Sequence, residues 1–104
     1  MAESLRRFLP RLRKRPGMYV PSLSYITVCA FLDGYALASD EEFGDFRQWL
    51  VGRGTSRPEL GWPWLVLAHI YPAGALPDPR GFNEEQDREA VDMMFDLLAE
   101  FYET

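Results

Sequence analysis

Apolar residues recur at helical spacing from the start of the chain. Leu5, Phe8, Leu9 and Leu12 fall at i, i+3, i+4 and i+7, one stripe of a helix. The spacing predicts a first helix over 3–14 with Ser4 as its N-cap. Pro10 lies inside that stretch and is expected to kink or split it. Arg15-Pro16-Gly17 breaks the chain, Met18-Tyr19-Val20 reads as short and extended, and Pro21 follows. A second helix is expected from Ser22 or Ser24 to about Ala38. Its apolar residues, from Leu23 and Ile26 through Phe31 to Leu37, cover nearly the whole circumference. That is the pattern of a central, most buried helix, with Phe31 as its mid-point anchor. Asp33 and Gly34 interrupt it. A glycine there costs about 1 kcal/mol relative to alanine, which close packing against a neighbour would explain.

Ser39-Asp40-Glu41-Glu42 has the form of a capping box and predicts a third helix over 40–52, with Phe43, Phe46, Trp49 and Leu50 on one face. Residues 52–58 read as a loop. Pro63 suits the first position of a helix, so 63–71 reads as a short fourth helix. A buried strand fits the same apolar run, and periodicity does not separate the two. Residues 72–82 hold three prolines and two glycines and read as a surface loop. Asn83-Glu84-Glu85-Gln86 is a second capping box. It opens a last helix over 84–103 that would bury Val91, Met94, Phe95, Leu98, Phe101 and Tyr102. The expectation is an all-α fold: an irregular bundle of four to five helices, with residues 1–104 forming one domain.

Composition narrows the chemistry. At 104 residues, 47% apolar and 14% aromatic, the chain can bury one core without covalent help and is not disordered. A single cysteine, Cys29, and a single histidine, His69, leave no intrachain disulfide, no cysteine cluster and no multi-histidine metal site. No metal or cofactor is expected. No run of 18 apolar residues is present, and the Arg-rich start is not followed by the apolar stretch of a secretory signal. The expectation is a cytoplasmic protein with no membrane contact. Residues 1–20 carry six basic groups against one acid, or +5. The other 84 carry five basic and fifteen acidic groups, or −10. The basic segment is therefore expected to lie against the acidic body. That body would repel phosphate, which speaks against nucleic acid as a partner.

Few residues could carry chemistry. His69 is expected to hydrogen-bond a backbone carbonyl, and Cys29 to be an inert small hydrophobe. Asp33 is expected to face solvent or to pair with a basic residue such as Arg15. No phosphate loop, nucleophile elbow or zinc-protease motif is present. The feature with functional weight is the polar face of the last helix: Glu85, Glu89, Asp92, Asp96, Glu100 and Glu103, opposed nearby only by Arg88. Such a row suits a basic partner, because charge complementarity speeds association and selects partners. Glu89, Asp92, Asp96 and Glu100 are the candidate partner-binding residues, joined by Trp62 and Trp64 because tryptophan is enriched at binding hot spots. Catalytic residues are not expected. The competing readings are a ligand-binding or enzymatic pocket gathering Tyr19, Asp33, Tyr35 and His69, and a nucleic-acid regulator using the basic first helix.

Two resemblances accompany these patterns. Arg13-Lys14-Arg15-Pro16-Gly17-Met18-Tyr19-Val20 resembles the RKRPGMYIG stretch of DNA gyrase B subunits and related type II topoisomerases. In that family the stretch precedes an ATP site whose helix carries a glutamate and an asparagine. The helix that follows here, Val28 to Tyr35, holds neither, so no ATPase activity is expected. The octet reads instead as local mechanics: a basic helix end, a Pro-Gly turn and an aromatic anchor. The order RPGMYV, FLDGYALA, FRQWLVGR, GWPWLVL, FDLLAEFYE resembles small uncharacterised bacterial proteins, some encoded near polymorphic toxins and regarded as immunity proteins. That resemblance implies a non-catalytic inhibitor that binds one toxin, with no family catalytic residue to carry over.

Overall fold

Ser4 stands in extended backbone, and its hydroxyl accepts the amide N–H of Arg7. The first helix, α1 (Leu5–Lys14), therefore starts where the cap places it. Its stripe of Leu5, Phe8, Leu9 and Leu12 is buried throughout. Pro10 does not split α1. It lies on the exposed side with Arg6, so the Arg6 carbonyl that loses its amide partner is on the water-facing side.

The computed structural model describes residues 3–39, 43–55 and 57–103. In chain order the helices are α1, α2 (Tyr25–Ala38), α3 (Gly44–Gly52), α4 (Trp62–Leu67) and α5 (Glu84–Glu103). Three-residue 3₁₀ turns cover Pro16–Met18, Ala73–Ala75 and Pro79–Gly81. The fold is all-α, with five helices and no strand among the described residues.

Local chemistry accounts for most boundaries. The segment after α1 is a turn rather than extended chain: the Val20 amide reaches the Pro16 carbonyl at 3.1 Å, and Tyr19 has helical dihedrals. Pro16 pre-sets the turn. The Tyr19 ring meets Phe8 edge-on at 4.8 Å, which folds the segment back on α1. Ser24 caps α2 through the Thr27 amide. Ser39 closes α2. Its hydroxyl donates back to the carbonyls of Tyr35 (3.0 Å) and Ala36 (3.3 Å), the bond that a serine beside a finished helical turn prefers. Residues 40–42 of the expected capping box lie outside the described residues, and α3 starts at Gly44 with no side-chain cap. The second capping box forms as expected: Gln86 N–H to Asn83 at 2.8 Å and Asn83 N–H to Gln86 at 2.9 Å. Residues 62–67 are helix, with Pro63 in the first turn, which answers the helix-or-strand ambiguity.

The centre of the bundle is α5, not α2. The last helix contacts α1, α2, α3 and α4 and buries Ala90, Met94, Phe95, Leu97 and Leu98. Helix α2 buries Tyr25, Val28, Cys29, Leu32 and Ala36. Its other side faces outward: Leu37 is 79% exposed and Ile26 39%. Phe31 is only half-buried. Phe46 of α3 is fully buried, as is Tyr25 of α2, and its ring centroid lies 5.4 Å from Phe101, 5.8 Å from Trp62 and 6.0 Å from Trp49. Gly34 has no packing role within the chain, since a Cβ built on it meets nothing within 4 Å. Among the described residues no charged side chain is buried, and no helix is long and apolar enough to cross a membrane.

Candidate functional site

Burial of Met94, Phe95 and Leu98 on one side of α5 turns its acidic side outward. Glu85, Glu89, Asp92, Asp96, Glu100 and Glu103 are all exposed, as the sequence pattern requires. Two of them are engaged within the chain. The Arg13 guanidinium donates to Asp96 at 2.6 Å and Arg53 donates to Glu100 at 2.6 Å. Arg13 also lies over the Phe95 ring, 5.6 Å from its centre, and Arg53 over Trp49 at 4.8 Å. The C-terminal half of the row is thus clasped by one cation from α1 and one from the end of α3. Exposed pairs of this kind are each worth about 0–1 kcal/mol. Glu85, Glu89 and Asp92 make no ion pair among the described residues. They form the unneutralised half of the row. Asp92 also borders a cleft of about 440 Å³ whose wall carries Leu23, Phe95 and Arg88.

The two candidate tryptophans part company. Trp62 is buried at 6% exposure. Its ring packs on Phe43 at 5.0 Å, and its indole N–H donates to Asp33 at 2.8 Å. Trp62 is a core residue and offers little surface to a partner. Trp64 is half-buried and lines an apolar groove of about 310 Å³ between α2 and α4, closed by the Pro79–Gly81 turn. Ile26, Ala30, Leu67 and Pro79 share that lining, with Asp33 at its edge. Asp33 faces solvent and accepts from Trp62 rather than pairing with Arg15.

The structure does not gather Tyr19, Asp33, Tyr35 and His69 into one pocket. Asp33 borders the α2–α4 groove. His69 is exposed and opens on a different cleft, beside Arg53 and Thr55, with its Nδ1–H donating to the Leu65 carbonyl at 3.0 Å. Tyr19 and Tyr35 pack on Phe8, the latter stacked at 4.7 Å, and the Tyr35 hydroxyl donates to the Glu3 carbonyl. Burial pushes the Cys29 thiol up to about 12, so it holds its proton through the neutral range and is a poor nucleophile. Burial likewise raises the Tyr25 hydroxyl, which donates to the Pro63 carbonyl at 2.6 Å and ties α2 to α4.

The outward side of α2 was missed by sequence reasoning. The signal was present: a domain of this size cannot cover every side of a helix that is apolar all round. No family model, curated protein or solved structure matches this chain.

Proposed function

We propose that this chain is a non-catalytic protein-binding domain of the immunity type, a cytoplasmic bacterial protein that docks on a basic toxin domain and neutralises it. The observation that carries the reading is the row of carboxylates on α5, exposed from Glu85 to Glu103, with Glu89 and Asp92 unneutralised at its N-terminal half. The resemblance of the FLDGYALA, GWPWLVL and FDLLAEFYE segments to immunity-type proteins supports it. So does the net charge of −5, which steers a basic partner inward from a distance.

Asp96 and Glu100 enter this reading in a second role. Their arginine partners already occupy one oxygen of each, and a toxin cation can compete for the same oxygens. Glu89 and Asp92 are the free acceptors.

The test has two stages. A toxin gene beside the coding sequence would supply the partner, and co-expression should protect the host and yield a stoichiometric complex. Glu89→Lys with Asp92→Lys should then slow association by about tenfold or more at low salt, with the defect shrinking as salt rises. Equal association rates for wild type and double variant would reduce the row to a solvated helix face. Absence of protection would remove the immunity reading itself.

A further inference from the structure

Helix α2 carries one charged residue, Asp33, in the sequence YITVCAFLDGYALA. Around it, on the side turned from the core, lie Ile26, Ala30, Gly34 and Leu37, all exposed. Leu23 extends the apolar surface before the helix, at 54% exposure. Among the described residues, three of the four large apolar side chains most exposed to solvent, Leu23, Ile26 and Leu37, lie on α2 or just before it. The α2–α4 groove runs alongside it, with Trp64 and Pro79 forming the far wall.

Asp33 is not a loose surface carboxylate. One of its oxygens is held at 2.8 Å by the indole N–H of buried Trp62, so its position is fixed before anything binds. The remaining lone pairs face solvent. The other charged groups at the groove are Asp78 and Arg80, and these neutralise each other through a two-oxygen pair with a 2.7 Å contact. The arginine holds the Asp78 carboxyl well below the usual carboxylate range. The groove is therefore apolar, with one unbalanced negative charge at a set point.

We infer that this groove and the outward side of α2 take an amphipathic helix from a partner protein, one that carries a single lysine or arginine within its apolar face, opposite Asp33. Apolar anchors on that helix fill the groove between Ile26, Ala30 and Trp64. The cation completes the Asp33 carboxylate, whose fixed position removes part of the ordering cost of binding. The small side chains of Ala30 and Gly34 allow a helix axis to approach closely, since interaxial distance follows the residues at the contact. A second copy of this chain fits less well: it offers no cation on its own α2 to meet Asp33, and a twofold centred near Asp33 would set like charges together in an apolar contact. The inference does not depend on the toxin reading, because the strip lies on α2 and not on the carboxylate row.

The test uses two synthetic helical peptides with leucines at helical spacing, identical except for lysine or glutamate at the centre of the apolar face. Fluorescence anisotropy with the full chain should show micromolar binding of the lysine peptide and at least tenfold weaker binding of the glutamate peptide. Asp33→Asn keeps the acceptor for Trp62 and removes the charge. It should bring the two affinities together with the fold intact. Ala30→Glu, at an exposed position, should abolish binding of both. In NMR spectra the Trp64 indole and the Ile26 methyls should shift on titration, and resonances of α5 should not. Equal affinity for the two peptides, binding of neither at millimolar concentration, or a dimer of this chain by light scattering that Ala30→Glu dissolves, would each overturn the inference.

Discussion

The indole N–H of Trp62 donates to the carboxylate of Asp33 across 2.8 Å, joining the first residue of α4 to the exposed side of α2. The donor is buried and the acceptor is not. Removing the acceptor leaves a buried N–H without its partner, at a cost of about 1–2 kcal/mol. Asp33→Ala should lose that much in urea unfolding, and Asp33→Asn should stay within about 0.5 kcal/mol of wild type. Similar losses for both variants would show that charge, not the bond to Trp62, is what the fold uses.

Phe46 is the sharper test of the core. It is fully buried among four aromatic neighbours, Phe43, Trp49, Trp62 and Phe101, so Phe46→Ala should cost about 3–5 kcal/mol. That is a large share of the stability of any domain of this size. Phe31, half-buried on α2, should lose only about half as much on the same truncation. Thermal unfolding of the two variants side by side gives the order.

Gly34→Ala should stabilise the protein. The added methyl meets nothing within 4 Å, and alanine is favoured over glycine inside a helix by roughly 0.5–1 kcal/mol. The melting temperature should rise by a few degrees. A fall would mean that the outward side of α2 is covered in solution.

Alkaline pH should weaken the fold from a particular point. The Cys29 thiol is raised from an ordinary value near 9 to about 12 by burial. Above pH 9 the unfolded chain gives up that proton while the folded chain keeps it. Stability is therefore full below about pH 9 and falls as pH rises from there toward 12. Tyr25, raised in the same way, adds to the decline. Denaturation midpoints across this range should fall for wild type and fall less steeply for Cys29→Ala. At pH 8 a thiol reagent should label Cys29 only as fast as the protein opens.

Much of the fold was legible because local signals and tertiary demands agreed. Ser4, Ser24 and the Asn83–Gln86 box each cap where the sequence puts them, and the α1 stripe is buried residue for residue. Ser39 ends α2, its hydroxyl donating to the carbonyls of Tyr35 and Ala36, while the rest of the capping box expected there lies outside the described residues. The rank of α2 was misread for a different reason. Apolar content measures what a helix would bury if surrounded, and it is α5 that packs against α1, α2, α3 and α4, while one side of α2 faces outward. The exposure of the carboxylate row followed directly from the buried residues opposite it. Its pairing with Arg13 and Arg53 did not, because it joins positions 83 and 47 residues apart. The separation of Asp33 from His69 is likewise a matter of how α2 and α4 cross, which no spacing along the chain encodes.

Asp87 sits in the first turn of α5 and accepts the backbone N–H of Tyr25, the first residue of α2, at 2.8 Å. One carboxylate thus serves the positive ends of two helices 62 residues apart. Neither helix start is complete until the chain between them has closed into a loop. The opening turns of α2 and α5 are therefore coupled through one carboxylate. The beginning of α2 gains this bond only when a residue 62 positions further along the chain has folded onto it.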